Sequence, residues 1–495
     1  MGLEGKTVVF GVTGSIAVYK AADLASQLTQ AGAKVEVIMT EAATEFITPL
    51  TFRNITGRPV VTKMFELNSE FSVEHVALAE AADVVVIAPA TANTIARLAA
   101  GIADDMLCCT VLATKAPIVI APAMHAAMYE NQITQDNLAK LQARGFTIVG
   151  PAYGRLASGG TGLGRLVDVG EILGTICQVL GRSGDLVGKK IVVTAGGTQE
   201  PVDPVRCLTN RSSGKMGYAL AEAARDRGAQ VVLVSAPSAL PKPVCVDVVN
   251  VGTAQEMYEA VKKAVDKADA LIMAAAVADY RTKKVAESKI KRQQVASLTL
   301  ELERTPDILG EVKGKFLRIG FAAESENMVA NAKEKLQRKQ LDLIVANDIT
   351  AKGSGIGADT NQVVIIDRKG KVEELPLLPK RQVADRILDR VVELLDKASK
   401  RFEIILKPSY INSHFIHIPV AERGLFPEFK RSLTLLTDIG EIETTAGLCK
   451  SGTHRALELR KGLGKWYEAH PELKSGDGVI FEVVEPLKKY RLRKA

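Results

Sequence analysis

The chain opens in the same way twice, and this duplication constrains its fold more than any other feature of the sequence. The apolar runs Lys6–Phe10 and Lys189–Val193 each lead into a glycine-rich turn and then into an alanine-rich helical pattern. A second apolar run follows in both halves, at Lys34–Met39 and at Gln230–Ser235. Strands that alternate with helices in this way predict two α/β domains, each built on a doubly wound parallel sheet of Rossmann-like type.

A third apolar run completes the correspondence between the two halves. Both copies begin with an Ala-Asp step, at Ala82–Pro89 and at Ala268–Ala274. Open parallel sheets bind their ligands in the crevice at the carboxyl ends of the strands. We therefore expect one site in each half, built from the loops that follow these runs.

The sequence pattern changes at two places along the chain, which predicts three domains within the 495 residues. The first boundary falls near Gly181–Gly188, and the second follows the amphipathic helical pattern Lys380–Lys400. The predicted domains are therefore 1–182, 189–398 and 401–495. The third is expected to be a small β-rich module, with strands at Phe402–Leu406, Phe415–Pro419 and Val479–Val484, a helix at Thr453–His470 and a basic tail at Lys488–Lys494.

Charge and cysteine content restrict the environment and the partners. The excess of 64 Lys+Arg over 57 Asp+Glu is mild and suits anionic small molecules or weak nucleic-acid contact. Six cysteines without disulfide or metal spacing favour a reducing compartment. The sequence contains neither a signal-peptide pattern nor a run near the ~20 apolar residues that span a bilayer. We therefore expect a cytoplasmic protein without a membrane partner.

The loops of the first half carry side chains suited to a flat, phosphorylated cofactor. The turn Gly11–Ser15 leads into a helix with Ser15 at the expected N-cap, and a helix N-terminus favours a phosphate. The segment Pro89–Thr94 adds small side chains and polar donors after the third strand. His75 stands near the start of a helical pattern that leads to this segment. A lone histidine is often structural, but this one is equally suited to acid–base chemistry near neutral pH.

These features resemble the flavin-dependent cysteine decarboxylase family over residues 1–182. The matching motifs are the helix-entry histidine, the loop Pro89–Thr94 and the segment Pro122–Tyr129. The resemblance implies FMN-dependent oxidative decarboxylation of an aminoacyl cysteine, with His75 and Ser158 as catalytic residues. It also implies that FMN lies against Gly14, Ser15, Thr40, Pro89, Thr91, Asn93 and Thr94, and that the substrate lies against His125 and Met128.

Two positions depart from the pattern of that family. His125 stands where the family has a substrate-binding asparagine. In the flap-like segment Gly154–Arg165, Ser158 stands where phosphopantothenoylcysteine decarboxylases carry a cysteine that is taken to supply a proton in the final reduction. A thiol titrates near ~8.5, whereas a serine hydroxyl is a far weaker acid. An alternative reading is therefore a flavin half with altered chemistry, in which water, His125 or a substrate group replaces the thiol.

A long polar segment follows the first strand of the second half, at Thr194–Gly217. Its glycines present backbone N–H groups and a helix N-terminus, which favour a phosphate, although their spacing is not that of a dinucleotide site. Arg206 and Lys215 are suited to anions, and Asn210 lies between them. The segment therefore predicts a phosphate site.

Several motifs in the same order make residues 189–398 closely resemble the phosphopantothenate–cysteine ligase half of bifunctional bacterial coenzyme A enzymes. The resemblance implies that phosphopantothenate attacks the α-phosphate of CTP, with Mg²⁺ bridging the phosphates, and that cysteine then displaces CMP. Asn210 would hold the acyl-cytidylate, and Lys289 would lie on a flap over the triphosphate. The motifs are Thr194–Gly217, Ala274–Tyr280, Lys289–Arg292, Thr305–Leu309, Gly320–Glu324 and Leu341–Asp348. The other implied substrate contacts are Arg206, Ala275, Asp279, Pro306, Asp307, Ile308, Leu309, Phe321, Lys335 and Lys339.

Residues 401–495 lie outside both patterns. They hold 16 Lys+Arg against 12 Asp+Glu, a weak bias toward nucleic-acid contact. Two short stretches, Gly462–Tyr467 and Pro471–Glu482, faintly resemble β-barrel DNA-binding modules found beside restriction nucleases. His414 and His417 have no suitably spaced third ligand, so we expect strand positions for them rather than a metal site. Oligomerisation or regulation is an equal alternative to nucleic-acid contact.

These patterns together predict a two-site enzyme of coenzyme A biosynthesis. Its ligase half would join phosphopantothenate and cysteine with CTP, and its flavin half would decarboxylate the product to phosphopantetheine. We expect a homo-oligomer. A non-enzymatic protein that senses nucleotides or associates with DNA is the second alternative.

Overall fold

The structure is a computed structural model that describes residues 3–64, 74–291, 298–324, 327–348, 353, 357–399, 401–427, 431–448, 457–485 and 487–494. The chain forms two compact units, Met1–Asp389 and Arg390–Ala495. The first unit contains both α/β halves.

A six-stranded parallel sheet forms the centre of the first half. Its strands are β1 (Thr7–Val12), β2 (Lys34–Met39), β3 (Val60–Val61), β4 (Val84–Ala90), β5 (Ile118–Pro122) and β6 (Thr147–Ile148). Their order is β3-β2-β1-β4-β5-β6, and all neighbours are parallel. The order reverses between β1 and β4, which confirms the predicted doubly wound sheet and fixes its switch point.

Helices cover both faces of this sheet. They are α1 (Val18–Gln30), α2 (Glu41–Thr44), α3 (Pro49–Thr56), α4 (Glu74–Ala81), α5 (Ala92–Ala100), α6 (Met106–Ala113), α7 (Ala126–Tyr129), α8 (Gln132–Ala143) and α9 (Val169–Leu180). A hairpin of β7 (Ala152–Arg155) and β8 (Thr161–Arg165) precedes α9. Phe10 belongs to the core on one face and Val9 to the core on the other, because side chains alternate along a strand.

The start of α1 differs from the predicted one. The helix begins at Val18, and its N-cap is Ala17, so Ser15 is not the cap. The Ser15 hydroxyl instead accepts the N–H of Ala17 at 3.3 Å, which makes a turn ahead of the helix. A serine hydroxyl can bind nearby backbone N–H groups in a turn, and such a turn is an alternative to the first turn of a helix.

The second half repeats the architecture of the first. Its strands are β9 (Lys190–Ala195), β10 (Gln199–Pro201), β11 (Cys207–Thr209), β12 (Gln230–Ser235), β13 (Asp247–Asn250), β14 (Ala270–Met273), β15 (Tyr280–Thr282), β16 (Leu302–Arg304), β17 (Leu317–Glu324), β18 (Leu343–Asp348), β19 (Thr360–Asn361), β20 (Val363–Asp367), β21 (Val372–Glu374) and β22 (Leu378–Pro379). The main sheet has the order β13-β12-β9-β14-β17-β18-β20-β21, in which β20 and β21 are antiparallel additions. The switch point therefore lies between β9 and β14, where the first half has β1 and β4.

Helices α10 (Lys215–Asp226), α11 (Ala254–Ala264), α12 (Ile308–Glu311), α13 (Met328–Arg338) and α14 (Lys380–Ser399) complete this half. The predicted domain boundary around Gly181–Gly188 is not a flexible linker, because this segment packs closely on the second half. A Cβ added to Gly181 or to Gly184 would lie 2.3 Å from the carbonyl oxygen of Asp226 or Arg227, both near the end of α10. The guanidinium of Arg227 also pairs with Asp185 and Asp389. The two halves therefore pack directly on each other.

The second unit contains a single seven-stranded sheet with the order β23-β28-β29-β25-β26-β27-β24. Trp466, Phe481 and Tyr490 are the large buried side chains of its core. The elements are β23 (Arg401–Ile405), α15 (Pro408–Asn412), β24 (Ile416–Ile418), β25 (Ser432–Thr437), β26 (Gly440–Leu448), β27 (Leu457–Leu459), α16 (Leu463–Ala469), β28 (Gly478–Glu485) and β29 (Lys489–Lys494). The predicted β-rich module is confirmed.

Three details of this unit correct the sequence analysis. Residues 453–456 of the helix predicted over Thr453–His470 lie outside the described residues. Of the rest, Leu457–Leu459 pairs as a strand in the sheet, and α16 is the helix. The basic tail is strand β29, whose Lys489, Arg491 and Lys494 pair with glutamates. His417 lies on β24 as predicted, but His414 lies in the turn before it, with φ of 51°.

His470 makes the second unit sensitive to pH. Its Nδ1 lies 2.8 Å from the carbonyl oxygen of Trp466, and its Nε2 lies 2.7 Å from a carboxylate oxygen of Asp438. Both partners are acceptors, so only the doubly protonated ring satisfies both. The Trp466 carbonyl and then the Asp438 carboxylate raise the pKa of His470. Because the folded pKa is raised, this stabilisation is complete below the unfolded value of ~6.5 and is lost as pH rises through the folded pKa.

We predict that the fluorescence of Trp466 titrates with a midpoint above ~6.5, the ordinary histidine pKa. Trp466 is the one tryptophan of the chain and lies 4.7 Å from the His470 ring, so the signal of the full chain reports this unit alone. The thermal midpoint followed by the same signal should fall as pH rises through the transition. In His470→Gln both pH dependences should disappear. A titration that persists in the variant would assign the signal to another group.

Candidate functional site

A cavity of about 880 Å³ opens at the switch point of the second sheet. Its walls are the first turn of α10, the loop after β14, the segment around α12, and side chains from β17, α13 and the start of α14. Ten of the predicted ligase residues line it: Asn210, Ala275, Asp279, Pro306, Asp307, Ile308, Leu309, Phe321, Lys335 and Lys339.

The first turn of α10 lies against the end of β9 because two glycines permit close approach. Gly214 precedes the helix with φ of 78°, a left-handed conformation that glycine adopts without strain. A Cβ on Gly217 would lie 2.6 Å from the Cβ of Ala195. The first turn lines the cavity and contains no acidic side chain of its own, so the positive end of the helix dipole lies at the cavity wall.

Asn210 bridges the two loops at the switch point. Its side-chain amide donates to the carbonyl oxygen of Val277 at 3.0 Å, across the cavity wall. The hydroxyl of Thr198 accepts the N–H of Ala278 at 2.9 Å, and Ala276 donates to the carbonyl of Gly196 at 2.8 Å. The loop after β14 is thus fastened to the loop after β9, which holds Asn210 in a defined orientation.

Two lysines, Lys335 in α13 and Lys339 directly after it, bring positive charge to the cavity. Lys339 donates to Asp307 at 2.9 Å, and Lys335 donates to the carbonyl oxygen of Phe321 at 2.9 Å. Burial would raise the pKa of Asp307, but the Lys339 ammonium and the N–H of Gly310 outweigh it and hold that pKa below its usual range. The cavity therefore combines fixed N–H donors on one side with mobile cations on the other, which suits a ligand with several phosphates.

Arg206 and Lys289 lie outside the wall of the cavity. Arg206 donates to the carbonyl oxygen of Ile290 at 3.3 Å and to Asp203 at 3.3 Å, so it holds the residue next to the exposed Lys289. Asp203 also accepts the N–H of Ile290 at 3.2 Å. Arg292, the last residue of that predicted motif, lies outside the described residues.

The sequence analysis did not place Lys380, Asn347 or Asn361 in the site, although all three line the cavity. Lys380 is the first residue of α14, which the sequence showed only as an amphipathic helix. The sequence did contain one indication of a role for Lys380. A lysine at a helix N-terminus is unfavourable because its charge opposes the helix dipole, so its presence there suggests a function other than helix stability.

The predicted cofactor residues of the first half lie at the carboxyl edge of its sheet. Gly14 and Ser15 follow β1, Thr40 follows β2, and Pro89 is the last residue but one of β4. Thr91 is the N-cap of α5 and accepts the N–H of Thr94 at 3.3 Å, which corrects the expectation of a plain loop. Asn93, in the first turn of α5, is exposed at the same edge.

The residues at this edge fit a bound FMN. The hydroxyl of Thr40 is buried without a hydrogen-bond partner among the described residues, so a donor or acceptor from a ligand would satisfy it. A Cβ on Gly14 would lie 2.6 Å from the Cβ of Ala42, so the backbone of this loop lies close to α2. Thr13 donates to the carbonyl of Pro89 at 2.7 Å and accepts the N–H of Thr91 at 3.1 Å, which locks the two cofactor loops together.

The predicted substrate residues lie beside the β7–β8 hairpin. Met124 donates to the carbonyl of Gly164 at 2.9 Å, and a Cβ on Gly162 would lie 2.7 Å from Ala126. The hairpin therefore packs on the segment that carries His125 and Met128, both exposed. Ser158 is exposed in the turn of the hairpin. His125 accepts the N–H of Ala127 at 3.3 Å and caps α7.

His75 lies in the first turn of α4 and is half-buried. The helix leads directly into β4, so it runs against the strand direction and its first turn approaches the carboxyl edge of the sheet. That position brings His75 to the edge that also holds the cofactor loops.

Two family models match the chain. The model described as Flavoprotein matches residues 2–181, and the model described as DNA/pantothenate metabolism flavoprotein C-terminal domain matches residues 186–395. The fold and the matches define a fusion of a flavoprotein-type domain with a pantothenate-metabolism domain.

Curated relatives resemble the chain over most of its length. The coenzyme A biosynthesis bifunctional protein CoaBC of Bacillus subtilis is 45% identical over 405 residues, which cover 81% of this chain and all of the relative. The proteins of the same name from Vibrio vulnificus (strain YJ016) and Escherichia coli (strain K12) are 44% and 43% identical and are covered to 99% and 100%. The chain belongs to the family of coenzyme A biosynthesis bifunctional proteins, enzymes that carry out a ligation and a decarboxylation.

Solved structures match the separate halves. The crystal structure of the C-terminal domain of a CoaBC protein is 46% identical, covers 43% of this chain and 99% of its own, and has a TM-score of 0.38. The FMN-dependent cysteine decarboxylase SpaF is 36% identical, covers 33% of this chain and 91% of its own, and has a TM-score of 0.30. The curated relatives do not favour a non-enzymatic protein or an altered flavin half.

Within the described residues, no helix combines the length and apolar character that a membrane span needs.

Proposed function

We propose that the cavity of the second half joins phosphopantothenate and cysteine with CTP, through an acyl-cytidylate. The observation that carries this proposal is the convergence of Asn210, the first turn of α10 and the pair Lys335 and Lys339 on one cavity. Both chemical steps build negative charge, and prearranged donors and cations stabilise it. No strong nucleophile is needed from the protein.

The residues divide the work by position. The N–H groups of α10 and the ammoniums of Lys335 and Lys339 would bind phosphate oxygens, and Asn210 would hold the acyl-phosphate bond between them. Asp279 and Phe321 would frame the cytidine. A divalent cation, Mg²⁺ by its preference for oxygen ligands, would neutralise the phosphate oxygens. Lys289 is exposed next to Ile290, whose backbone is hydrogen-bonded to Arg206 and Asp203, and it would close over the triphosphate.

Product analysis tests this reaction. The full chain is incubated with phosphopantothenate, cysteine and CTP, and mass spectrometry follows the products. We expect CMP and pyrophosphate in equal amounts, matched by the sum of phosphopantothenoylcysteine and the phosphopantetheine formed from it, with ATP a poor replacement for CTP. If pyrophosphate is released neither with CTP nor with ATP, the proposed ligation is wrong.

In the first half, we propose that the loops at the switch point bind FMN and that the product of the ligase is decarboxylated there to phosphopantetheine. Bound FMN supplies the oxidation and the later reduction of the substrate. His75 would move a proton at the edge of the site, His125 and Met128 would orient the substrate, and the β7–β8 hairpin would exclude water. Thr40 would satisfy its buried hydroxyl on the cofactor.

Ser158 should limit the last proton transfer of this reaction. In Ser158→Cys we expect the ratio of the initial rate of phosphopantetheine formation to the initial rate of CO₂ release, in a single turnover, to rise severalfold, because a thiol near ~8.5 is a far better acid than a hydroxyl. The ratio is measured by mass spectrometry and CO₂ trapping. Ser158→Ala is the control: an unchanged ratio in Ala and a raised ratio in Cys assigns the effect to the thiol. An equal ratio in wild type and Ser158→Cys would show that another group supplies the proton.

We further propose that the domains are 1–182, 189–398 and 401–495, and that the protein works in the cytoplasm as a homo-oligomer. Residues 401–495 lie outside both family models. The glutamate partners of Lys489, Arg491 and Lys494 neutralise much of β29, which weakens the case for nucleic-acid contact through that strand.

A further inference from the structure

Lys380 is a buried lysine in the wall of the ligase cavity. Its residue is 9% exposed, and its ammonium donates to the carbonyl oxygens of Ala358 and Thr360 at 2.5 and 2.9 Å. Its own backbone N–H donates to the carbonyl of Asp359 at 2.9 Å. Burial, and then the ammonium of Lys215, lower the pKa of Lys380. Burying a cation is costly, so this arrangement calls for an explanation.

The segment that Lys380 holds, Gly357–Asn361, is itself part of the cavity. Gly357 and Asn361 line it, and β19 within the segment pairs with β22 immediately before Lys380. On its other side the segment binds Lys215, the first residue of α10. Lys215 donates to the carbonyl oxygen of Gly357 at 2.9 Å and to Asp359 at 2.6 Å.

A chain of contacts therefore runs from a buried lysine to an accessible one. Lys380 fixes the backbone of the segment, and the segment holds the ammonium of Lys215 beside the free N–H groups of α10. Asp359 is 88% exposed at its side chain, so its ion pair with Lys215 is solvated and weak. Lys215 can therefore exchange this partner for a phosphate at little cost, provided that the segment keeps it in place.

We propose that Lys380 is a positioning residue of the ligase: its ammonium holds Gly357–Asn361 against the cavity and thereby sets Lys215 for contact with the phosphates of the nucleotide. This inference rests on the proposed ligase function. Lys380 acts through Lys215, so removal of Lys380 should weaken binding of the nucleotide and leave binding of the other substrates almost unchanged.

Steady-state kinetics of the full chain test the proposal, with pyrophosphate release as the readout. In Lys380→Met, which keeps the aliphatic stem, we expect the KM for CTP to rise on the order of tenfold, as for loss of one charged phosphate contact. The KM for cysteine should stay within about twofold. The matched control is Arg386→Met, which removes an exposed cation from the same helix and should behave as wild type.

A double-mutant cycle separates positioning from a purely structural role. If Lys380 acts through Lys215, Lys215→Met and the double variant should have similar KM values for CTP, whereas independent effects would multiply. Lys380→Arg keeps a cationic donor and should recover most of the CTP affinity. If Lys380→Met does not fold, Lys380→Gln against Lys380→Arg gives the same comparison.

The outcomes are distinguishable. Multiplying effects, or a lower melting temperature with an unchanged KM for CTP, would overturn the role of Lys380 while leaving the ligase function intact. A wild-type chain that releases no pyrophosphate from CTP would overturn the proposed function, and the inference with it.

Discussion

Asn210→Ala should reduce amide formation by about 10²–10³-fold, the cost of removing one prearranged donor from a site where charge develops. Asn210 is held by the carbonyl of Val277 at the junction of the two cavity loops, so its amide is already oriented before substrate binds. The reaction is followed as pyrophosphate release and as phosphopantothenoylcysteine formed. The loss should fall on kcat more than on the KM for CTP, because the bound intermediate is what Asn210 is proposed to hold.

The controls for this variant lie within the same chain. Asn250→Ala removes an exposed asparagine at the end of β13, away from the residues that line the cavity, and should leave the ligase unchanged. Asn210→Ala should also decarboxylate supplied phosphopantothenoylcysteine at the wild-type rate. If Asn210→Ala retains more than about a tenth of the wild-type rate, the role of Asn210 is wrong.

His75→Asn should slow decarboxylation by about 10²–10⁴-fold, the usual contribution of a positioned acid or base. Asparagine keeps a polar group of similar size in the first turn of α4 but cannot exchange a proton near neutral pH. The measurement is CO₂ release from supplied phosphopantothenoylcysteine. Visible absorbance of the purified chain reports its flavin content in parallel.

The ligase activity of His75→Asn is the internal control and should equal that of wild type. Loss of flavin together with loss of CO₂ release would mean that His75 supports cofactor binding and is not an acid or base. Full flavin content with an unchanged rate of CO₂ release would assign His75 a structural role in α4.

The ends of the strands were the most predictable part of the site. Each sheet strand near a switch point is an apolar run bounded by glycine or a polar step, and β2 and β12 have the bounds that the sequence predicted. Burial on both faces requires such runs, so the pattern is local and visible. The loops after the strands then follow from the topology, whereas Asn210, Asp279 and Lys339 were placed in one site by the resemblance of their motifs to the ligase family.

Errors arose where pairing between distant residues overrides a local pattern. Leu457–Leu459 fitted a helical pattern but pairs with β24 and β26. The basic tail joined the sheet as β29 for the same reason, because its alternating side chains bury Tyr490 and Leu492. Tertiary context decides between helix and strand when a short segment suits both.

The sequence by itself determined the two doubly wound sheets and the edge of each sheet at which a site is expected, because these depend on the periodicity of short apolar runs. The strand order of the structure fixed the switch points. Only the tertiary structure decided that Arg206 holds the chain beside Lys289, and that Lys380 lies beneath the segment that holds Lys215. Lys215 and Asp359 are 144 residues apart in the chain, and no local pattern links them. Their contact exists because β18 runs parallel to β9 and ends at the same edge of the sheet, so the segment between β18 and β20 lies beside the N-terminus of α10.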